Sequence, residues 1–398
     1  MAILAMQDVA LKDKVVMIRE DFNVPLKDGR VASDKRIMAT LPTIRHAIDQ
    51  GAQVILVSHL GRPKEGVYDP VFSLEPVADL LASRLNQKVV LVKDWQDNFN
   101  IKNYNKSDII LLENIRFCDG EDDNSPVLSK KLSDLCDVFV MDAFACSHRK
   151  QASTYGVIEQ AKVVCAGPLL MSELEALERA LKNPARPLIA IVGGSKVSTK
   201  LSVLLNLSKK VDKLIVGGGI ANTFIAASGL SIGKSLYEPG QLTIARTLLE
   251  EMNQRGRPIN LPVDVVVANE LSQTAVAQIK PINRIDKDDM ILDVGPDTIK
   301  TLCKDLEGAG TIIWNGPIGV FEYEQFSAGT CAMALSIANS KAFSIAGGGD
   351  TLAAVDKYEI DNKIGYISTG GGAFLEFVEG KKLPSISILE QRCQDAPK

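Results

Sequence analysis

The chain has 398 residues, 46% hydrophobic and 24% charged, with a formal net charge of -4. Two domains are the default at that length, and the slight acidic balance excludes a general nucleic-acid binder, which carries a basic excess. No apolar run approaches the roughly 18 residues of a membrane span. Met1–Lys12 lacks the apolar core and basic lead of a signal peptide, and seven scattered cysteines and three histidines offer no metal-ligand spacing. The expectation is a cytoplasmic, reduced chain that binds neither membrane nor nucleic acid.

Short β-branched runs alternate with helix-like stretches from the start. Val15–Ile18, Val54–Val57, Val89–Val92, Ile109–Leu112 and Val138–Met141 read as strands buried on both faces, the pattern of a parallel sheet covered by helices. The first run leads into Asp21 and Asn23, and Asp34-Lys35-Arg36 opens a helix. Later runs lead into Ser58-His59-Leu60-Gly61-Arg62-Pro63, Glu113-Asn114-Ile115-Arg116-Phe117 and Asp142–Arg149. A single arginine after a strand reads as a surface residue. Arg62, Arg116 and Arg149 recur at comparable places, and cations gathered on one sheet edge are costly without an anion among them. A small, multiply negative metabolite fits.

Gly167-Pro168 marks the end of this series. Leu169–Leu181 has Leu170, Leu174, Leu177 and Leu181 at helical spacing, and the prolines of 183–187 stop it. A helix joining two domains is a hinge element.

Leu188–Val192, Leu214–Val216, Val263–Val267, Thr311–Trp314, Phe343–Ala346 and Ile364–Ile367 form a second strand series, predicting a second doubly wound α/β domain. Glycine pairs or triplets follow four of them: Gly193-Gly194, Gly217–Gly219, Gly347–Gly349 and Gly370–Gly372. Glycine lets N–H groups crowd an anion at a helix start. A helix from Ser195 would put Lys196 and Lys200 on one face; a tight packing turn with solvated lysines is the other reading. Asp350 fits either a Mg²⁺ bridging nucleotide phosphates or a helix N-cap, and Glu322 either a ribose acceptor or a surface acid. Gly229–Ser235 has three residues between its glycines where a P-loop has four, and Asn222 stands where a dinucleotide fingerprint needs its third glycine. The missing fingerprint disfavours a nicotinamide-dependent dehydrogenase, and two retained anion sites disfavour a non-catalytic scaffold.

In order and spacing, Arg19–Pro25, Ser58–Pro63, Glu113–Phe117, Gly193–Lys200, Trp314–Glu322 and Gly347–Thr351 resemble the phosphoglycerate kinase family over essentially the whole chain. The resemblance implies two Rossmann-like parallel-sheet domains joined by a hinge helix. Residues 1–170, with a returning tail from about 376 to 398, would bind phosphoglycerate, and 171–375 Mg-nucleotide. It implies that Asp21, Asn23, Arg36, His59, Arg62, Arg116 and Arg149 bind 3-phosphoglycerate or 1,3-bisphosphoglycerate. It assigns ADP or ATP to Lys196, Lys200, Gly217, Gly218, Asn315, Pro317, Glu322, Gly348, Gly349, Asp350 and Thr351, with Mg²⁺ near Asp350. Arg36, Lys196, Gly349 and Gly372 would serve direct phosphoryl transfer after domain closure, in a monomer. Ser195, Thr199 and Gln151 stand where the family usually has alanine, aspartate and histidine.

Overall fold

The computed structural model describes residues 2–395; residue 1 and the last three residues of the expected tail lie outside them. The chain divides into two compact units, one of residues up to Glu175 with the segment from Lys382, the other Ala176–Lys381.

In the first unit, β1 (Val15–Arg19), β2 (Gln53–Val57), β3 (Val89–Val92), β4 (Ile109–Leu112), β5 (Val138–Met141) and β6 (Val163–Ala166) form one sheet in the order β3-β4-β2-β1-β5-β6. Every pairing is parallel, and central Val16 lies between Val54 and Val138. Val16, Met17 and Ile18 are fully buried because helices cover both faces. The helix Lys35–Asp49 lays Ile37, Leu41, Ile44 and Ala47 into the core, each buried aliphatic contributing about 1.5–3 kcal/mol. Since all strands run one way, the loops after β1, β2, β4 and β5 share the carboxyl edge where such sheets bind ligands. Strand β6, absent from the sequence reading, is an edge strand whose Val163 is exposed.

The helix Pro168–Leu181 carries the chain from one unit to the next. Beyond it, β7 (Leu188–Gly193), β8 (Lys213–Gly217), β9 (Asp264–Ala268), β10 (Gln278–Pro281), β11 (Met290–Val294), β12 (Thr311–Asn315), β13 (Phe343–Ala346) and β14 (Tyr366–Ile367) make two sheets. The parallel one has the order β8-β7-β12-β13-β14. The run at 263–267, expected within that series, instead centres a separate antiparallel sheet of order β10-β9-β11. Its Asp264 carboxylate accepts the amides of Asp297 and Thr298 at 3.0 and 2.8 Å, holding the helix Pro296–Glu307 at its N-terminus.

The segment after β7 also differs from expectation. No helix starts at Ser195; it starts at Leu201, with Lys200 at the cap. Glu238 accepts the Ser198 amide and hydroxyl at 2.7 and 2.6 Å, which holds 195–200 as a loop. Lys196 and Lys200 therefore do not share a helix face.

The last helix, Pro384–Asp395, returns to the first unit. There the Ser385 amide donates to the Ser147 carbonyl at 3.1 Å, and Arg392 donates to the carbonyls of Ile158, Glu159 and Ala161 at 2.7, 2.7 and 2.8 Å. Those bonds satisfy carbonyls at the end of the short helix Val157–Gln160.

Candidate functional site

In the first unit, the turn after β1 presents Asp21 and Asn23, that after β2 His59 and Arg62, that after β4 Arg116, and that after β5 Arg149. Arg36 comes from the first turn of the helix 35–49 and donates to Asp21 Oδ2 at 3.0 Å and the Asn23 carbonyl at 2.9 Å. Asn23 Oδ1 accepts the Gly61 amide at 2.9 Å, and Arg116 donates to the Gly61 carbonyl. Asn114 stitches the loops together, accepting the Leu60 and Arg116 amides, both at 3.2 Å, and donating to the Leu60 carbonyl at 2.7 Å.

Arg62, Arg116 and Arg149 line one cavity of about 280 Å³ with Pro63, Asp122 and Gln151. One carboxylate among three guanidiniums leaves a surplus of positive charge, so the cavity is built for an anion. Burial lowers the Arg116 pKa, against the opposing pull of Asp122, yet a guanidinium stays charged.

His59 is buried beside this cavity, its Nδ1 3.4 Å from Arg19 Nη2 and 3.9 Å from Asp21 Oδ1. Burial, reinforced by Arg19, Arg116, Arg36 and His148, holds its pKa well below 6.5, so the ring is neutral. A guanidinium only donates, which assigns Nδ1 as acceptor and puts the ring hydrogen on Nε2. Arg19 is fixed in turn: its Nε donates to Ser153 Oγ at 2.9 Å, and that hydroxyl donates to buried Glu121 at 2.6 Å. Asp21, His59 and Cys146 also cluster within 4.8 Å. Burial pushes the Cys146 thiol up to about 12, and Arg19 and Arg36 stand beside it, an arrangement hostile to a cation.

In the second unit, a mostly apolar cavity of about 490 Å³ is lined by Gly194, Gly218, Asn222, Leu236, Val265, Leu271, Met290, Leu292, Pro317, Ile318, Glu322 and Asp350, among others. Glu322 and Asp350 are exposed at it. Lys200 is half-buried and donates to Asn315 Oδ1 at 2.6 Å, while Asn315 Nδ2 donates to the Gly347 carbonyl at 2.6 Å. Burial lowers the Lys200 pKa, and Asp350 and Glu379 oppose that shift. Lys196 is exposed on the 195–200 loop.

The glycines divide into two kinds. A Cβ on Gly193 would strike the Pro317 carbonyl, one on Gly217 the Ile318 backbone, and one on Gly347 the Phe374 ring. The Gly218 amide is committed to the Ile318 carbonyl at 3.1 Å. These glycines let strand ends and loops touch. Gly349 and Gly371 instead open helices and face free space, and first-turn N–H groups have no acceptor within their helix. Gly348, at φ +101°, caps the first of these helices, so Asp350 is a first-turn residue and not its N-cap. Thr351 is buried, its hydroxyl accepting the Gly316 amide at 2.8 Å and donating to the Gly347 carbonyl at 2.9 Å. That hydroxyl supports the loop. Gly372 follows Gly371 and is exposed.

The family pattern of phosphoglycerate kinase matches residues 6–381. The chain belongs to the phosphoglycerate kinase family. It is 54% identical to phosphoglycerate kinase from Coxiella burnetii, with a TM-score of 0.94 over 99% of this chain and 100% of that one. It is 34% identical to phosphoglycerate kinase from Pyrococcus horikoshii OT3, with a TM-score of 0.82 over 98% and 99%. As a member of the phosphoglycerate kinase family the chain is a phosphotransferase, a nucleotide-binding kinase of glycolysis on the family's two-domain α/β fold. No helix of the described residues is long and apolar enough to cross a membrane.

Sequence reasoning missed several residues of these sites. Asp122 belongs to no motif and reaches the arginine cavity through a turn; Gln151, noted only as a departure from the family wording, donates to it. Leu236, Val265, Leu271, Met290 and Leu292 wall the second cavity. Apolar residues of that kind carry no spacing signal, and three of these, Val265, Met290 and Leu292, come from the antiparallel sheet that the strand reading did not foresee.

Proposed function

We propose that the first unit binds 3-phosphoglycerate or 1,3-bisphosphoglycerate, that the second binds ADP or ATP, and that the acyl phosphate passes directly between them. The observation that carries this reading is the single cavity shared by Arg62, Arg116 and Arg149. Those arginines grip phosphate and carboxylate oxygens, neutral His59 donates from Nε2, and Asp21 and Asn23 hold Arg36 toward the substrate. In the second unit the base enters the apolar cavity beside Gly217, Gly218 and Pro317, Glu322 takes the ribose hydroxyls, and Lys200, aimed by Asn315, meets the phosphates. Gly348 and Thr351 shape the loop that presents the Gly349 amide.

Phosphoryl transfer needs mainly positioning and neutralisation of charge. Arg36, Lys196 and the amides of Gly349 and Gly372 supply these, and no general base is required because a carboxylate is already ionised near neutral pH. Asp350 is an exposed, hard oxygen donor close enough to Lys200 to oppose its pKa shift, a donor type suited to Mg²⁺. Asp350 would hold Mg²⁺ through the nucleotide phosphates, where the ion would supply further neutralising charge. Direct transfer requires the substrates to meet, so domain closure about residues 168–187 accompanies turnover and excludes water. The protein acts in the cytoplasm as a monomer on small molecules, without a nucleic-acid or membrane partner.

A coupled assay of ADP formation dependent on both ATP and 3-phosphoglycerate tests this. Activity is expected in the parent chain and is lost in Lys196→Ala; activity that survives the substitution contradicts the mechanism. Small-angle scattering should show compaction with both substrates bound, and an unchanged radius of gyration contradicts closure.

A further inference from the structure

Glu20 follows β1, between Arg19 and Asp21, and is fully buried. Neither of its carboxyl oxygens receives an N–H or O–H hydrogen bond among the described residues. What its carboxyl does meet is the carboxyl of Asp142, equally buried, just after the neighbouring strand β5. Asp142 is rich in donors. Thr43, on the helix 35–49, donates its hydroxyl to Oδ2, and the Leu170 amide, in the first turn of the helix 168–181, donates to Oδ1 at 2.9 Å. A Cβ on Gly167 would land on this carboxylate, so the backbone closes directly over it.

Two adjacent carboxyls shielded from water do not both ionise; one proton stays in the pair. Asp142 accepts from several groups, whereas Glu20 has none to accept from. The proton therefore belongs on Glu20, where it converts an orphaned oxygen into a donor. We infer that Glu20 is a positioning residue whose O–H donates to Asp142 and so fixes Asp142 between the helix that bears Arg36 and the helix that leads out of the unit. Arg36 touches substrate in the reading above, while Glu20 acts on it through Asp142 and Thr43.

The surrounding charges agree. Burial, then Asp142 and Asp21, raise the Glu20 carboxyl well above 4.5, with Arg19 opposing. Burial raises Asp142 to about 6, against donation from Thr43, Leu170, Leu169 and Glu20. Burial, then the charge of nearby Asp142, pushes the Cys165 thiol up to about 12. Because the folded state holds these protons more tightly than the unfolded chain, their stabilisation is full below the ordinary carboxylate range and is lost as pH rises through the folded values. Above the Glu20 value two buried carboxylates face each other and the Thr43 helix loses its anchor.

The test is a carboxyl ¹³C NMR titration of Glu20 in the full chain, paired with kinetics of Glu20→Gln, which keeps a donor and removes the titration. The expected results are a Glu20 carboxyl still protonated at neutral pH and a Glu20→Gln kcat/KM for 3-phosphoglycerate within about twofold of the parent there. An alkaline fall of kcat/KM is expected in the parent and should be absent or shifted upward in the variant. Titration near the ordinary value of about 4.3, or an alkaline limb identical in both proteins, overturns the inference. The NMR result stands without the variant, so a Glu20→Gln chain that fails to fold leaves the question decidable. The kinetic arm rests on the phosphoglycerate reading of the first unit. Failure of that reading is seen separately, as an Arg36→Ala chain with undiminished turnover.

Discussion

In the first unit the proposed anion site is made mainly of side chains: three arginines around one cavity, a neutral histidine, and a carboxylate that, with the Asn23 main-chain carbonyl, holds a fourth arginine. In the second it is made of helix starts at Gly349 and Gly371, one lysine aimed by Asn315, and an apolar cavity. On the proposed assignment, the difference follows from the ligands. A small acid charged at both ends offers nothing but oxygens, and forked donors grip those from several directions. A nucleotide brings a flat apolar base, which takes a cavity, and a phosphate chain, which takes N–H groups and a helix dipole.

The comparison can be broken most sharply at Arg36. Arg36→Ala is expected to lower kcat by about 10²–10³-fold, the usual cost of one donor to a developing charge, with Mg-ADP affinity unchanged by calorimetry. Equal losses in both quantities would mean that the units do not divide the work this way.

The two kinds of glycine give the next largest effect. Gly193→Ala drives a methyl into the Pro317 carbonyl and should cost about 2–3 kcal/mol of stability in denaturant unfolding. Gly349→Ala meets open space, so unfolding should barely move while Mg-ADP binding weakens. If both variants unfold alike, the separation of packing glycines from binding glycines is wrong. Lys200→Met should weaken Mg-ADP about tenfold, near 1.4 kcal/mol, and leave 3-phosphoglycerate binding alone; the reverse pattern would exchange the roles of the units.

The smallest effect is in pH. His59 has its folded pKa well below 6.5, so its contribution to stability is full above 6.5 and is lost as pH falls toward the folded value. The melting temperature of the parent should therefore drop more steeply than that of His59→Gln between pH 6.5 and about 5. Parallel slopes would remove the claim that His59 is held neutral.

Much of this architecture was legible in the order of residues, for reasons particular to parallel sheets. Runs such as Val54–Val57 and Ile109–Leu112 are continuous because both faces are covered, and the residue after such a run lies on the ligand edge. Arg62, Arg116 and Arg149 stood out because they recur in the loops after such runs, and they do line one cavity. Strand β10, with exposed Ile279 and a terminal proline, has no such signature, so the antiparallel sheet behind the second cavity stayed hidden. The glycine runs misled in part. Gly193 and Gly217 look the same in sequence as Gly349, and only their neighbours Pro317 and Ile318 show that a close backbone approach requires the first two, whereas Gly349 faces open space. The loop at 195–200 likewise depends on Glu238, some 40 residues away in the chain.

The most direct measurement is parallel calorimetric titration of the full-length Arg62→Ala/Arg149→Ala double variant with 3-phosphoglycerate and with Mg-ADP. The account predicts at least about a hundredfold loss of 3-phosphoglycerate affinity, roughly 2.7 kcal/mol, with Mg-ADP binding as in the parent. Retained 3-phosphoglycerate binding, or equal loss of both ligands, would contradict it.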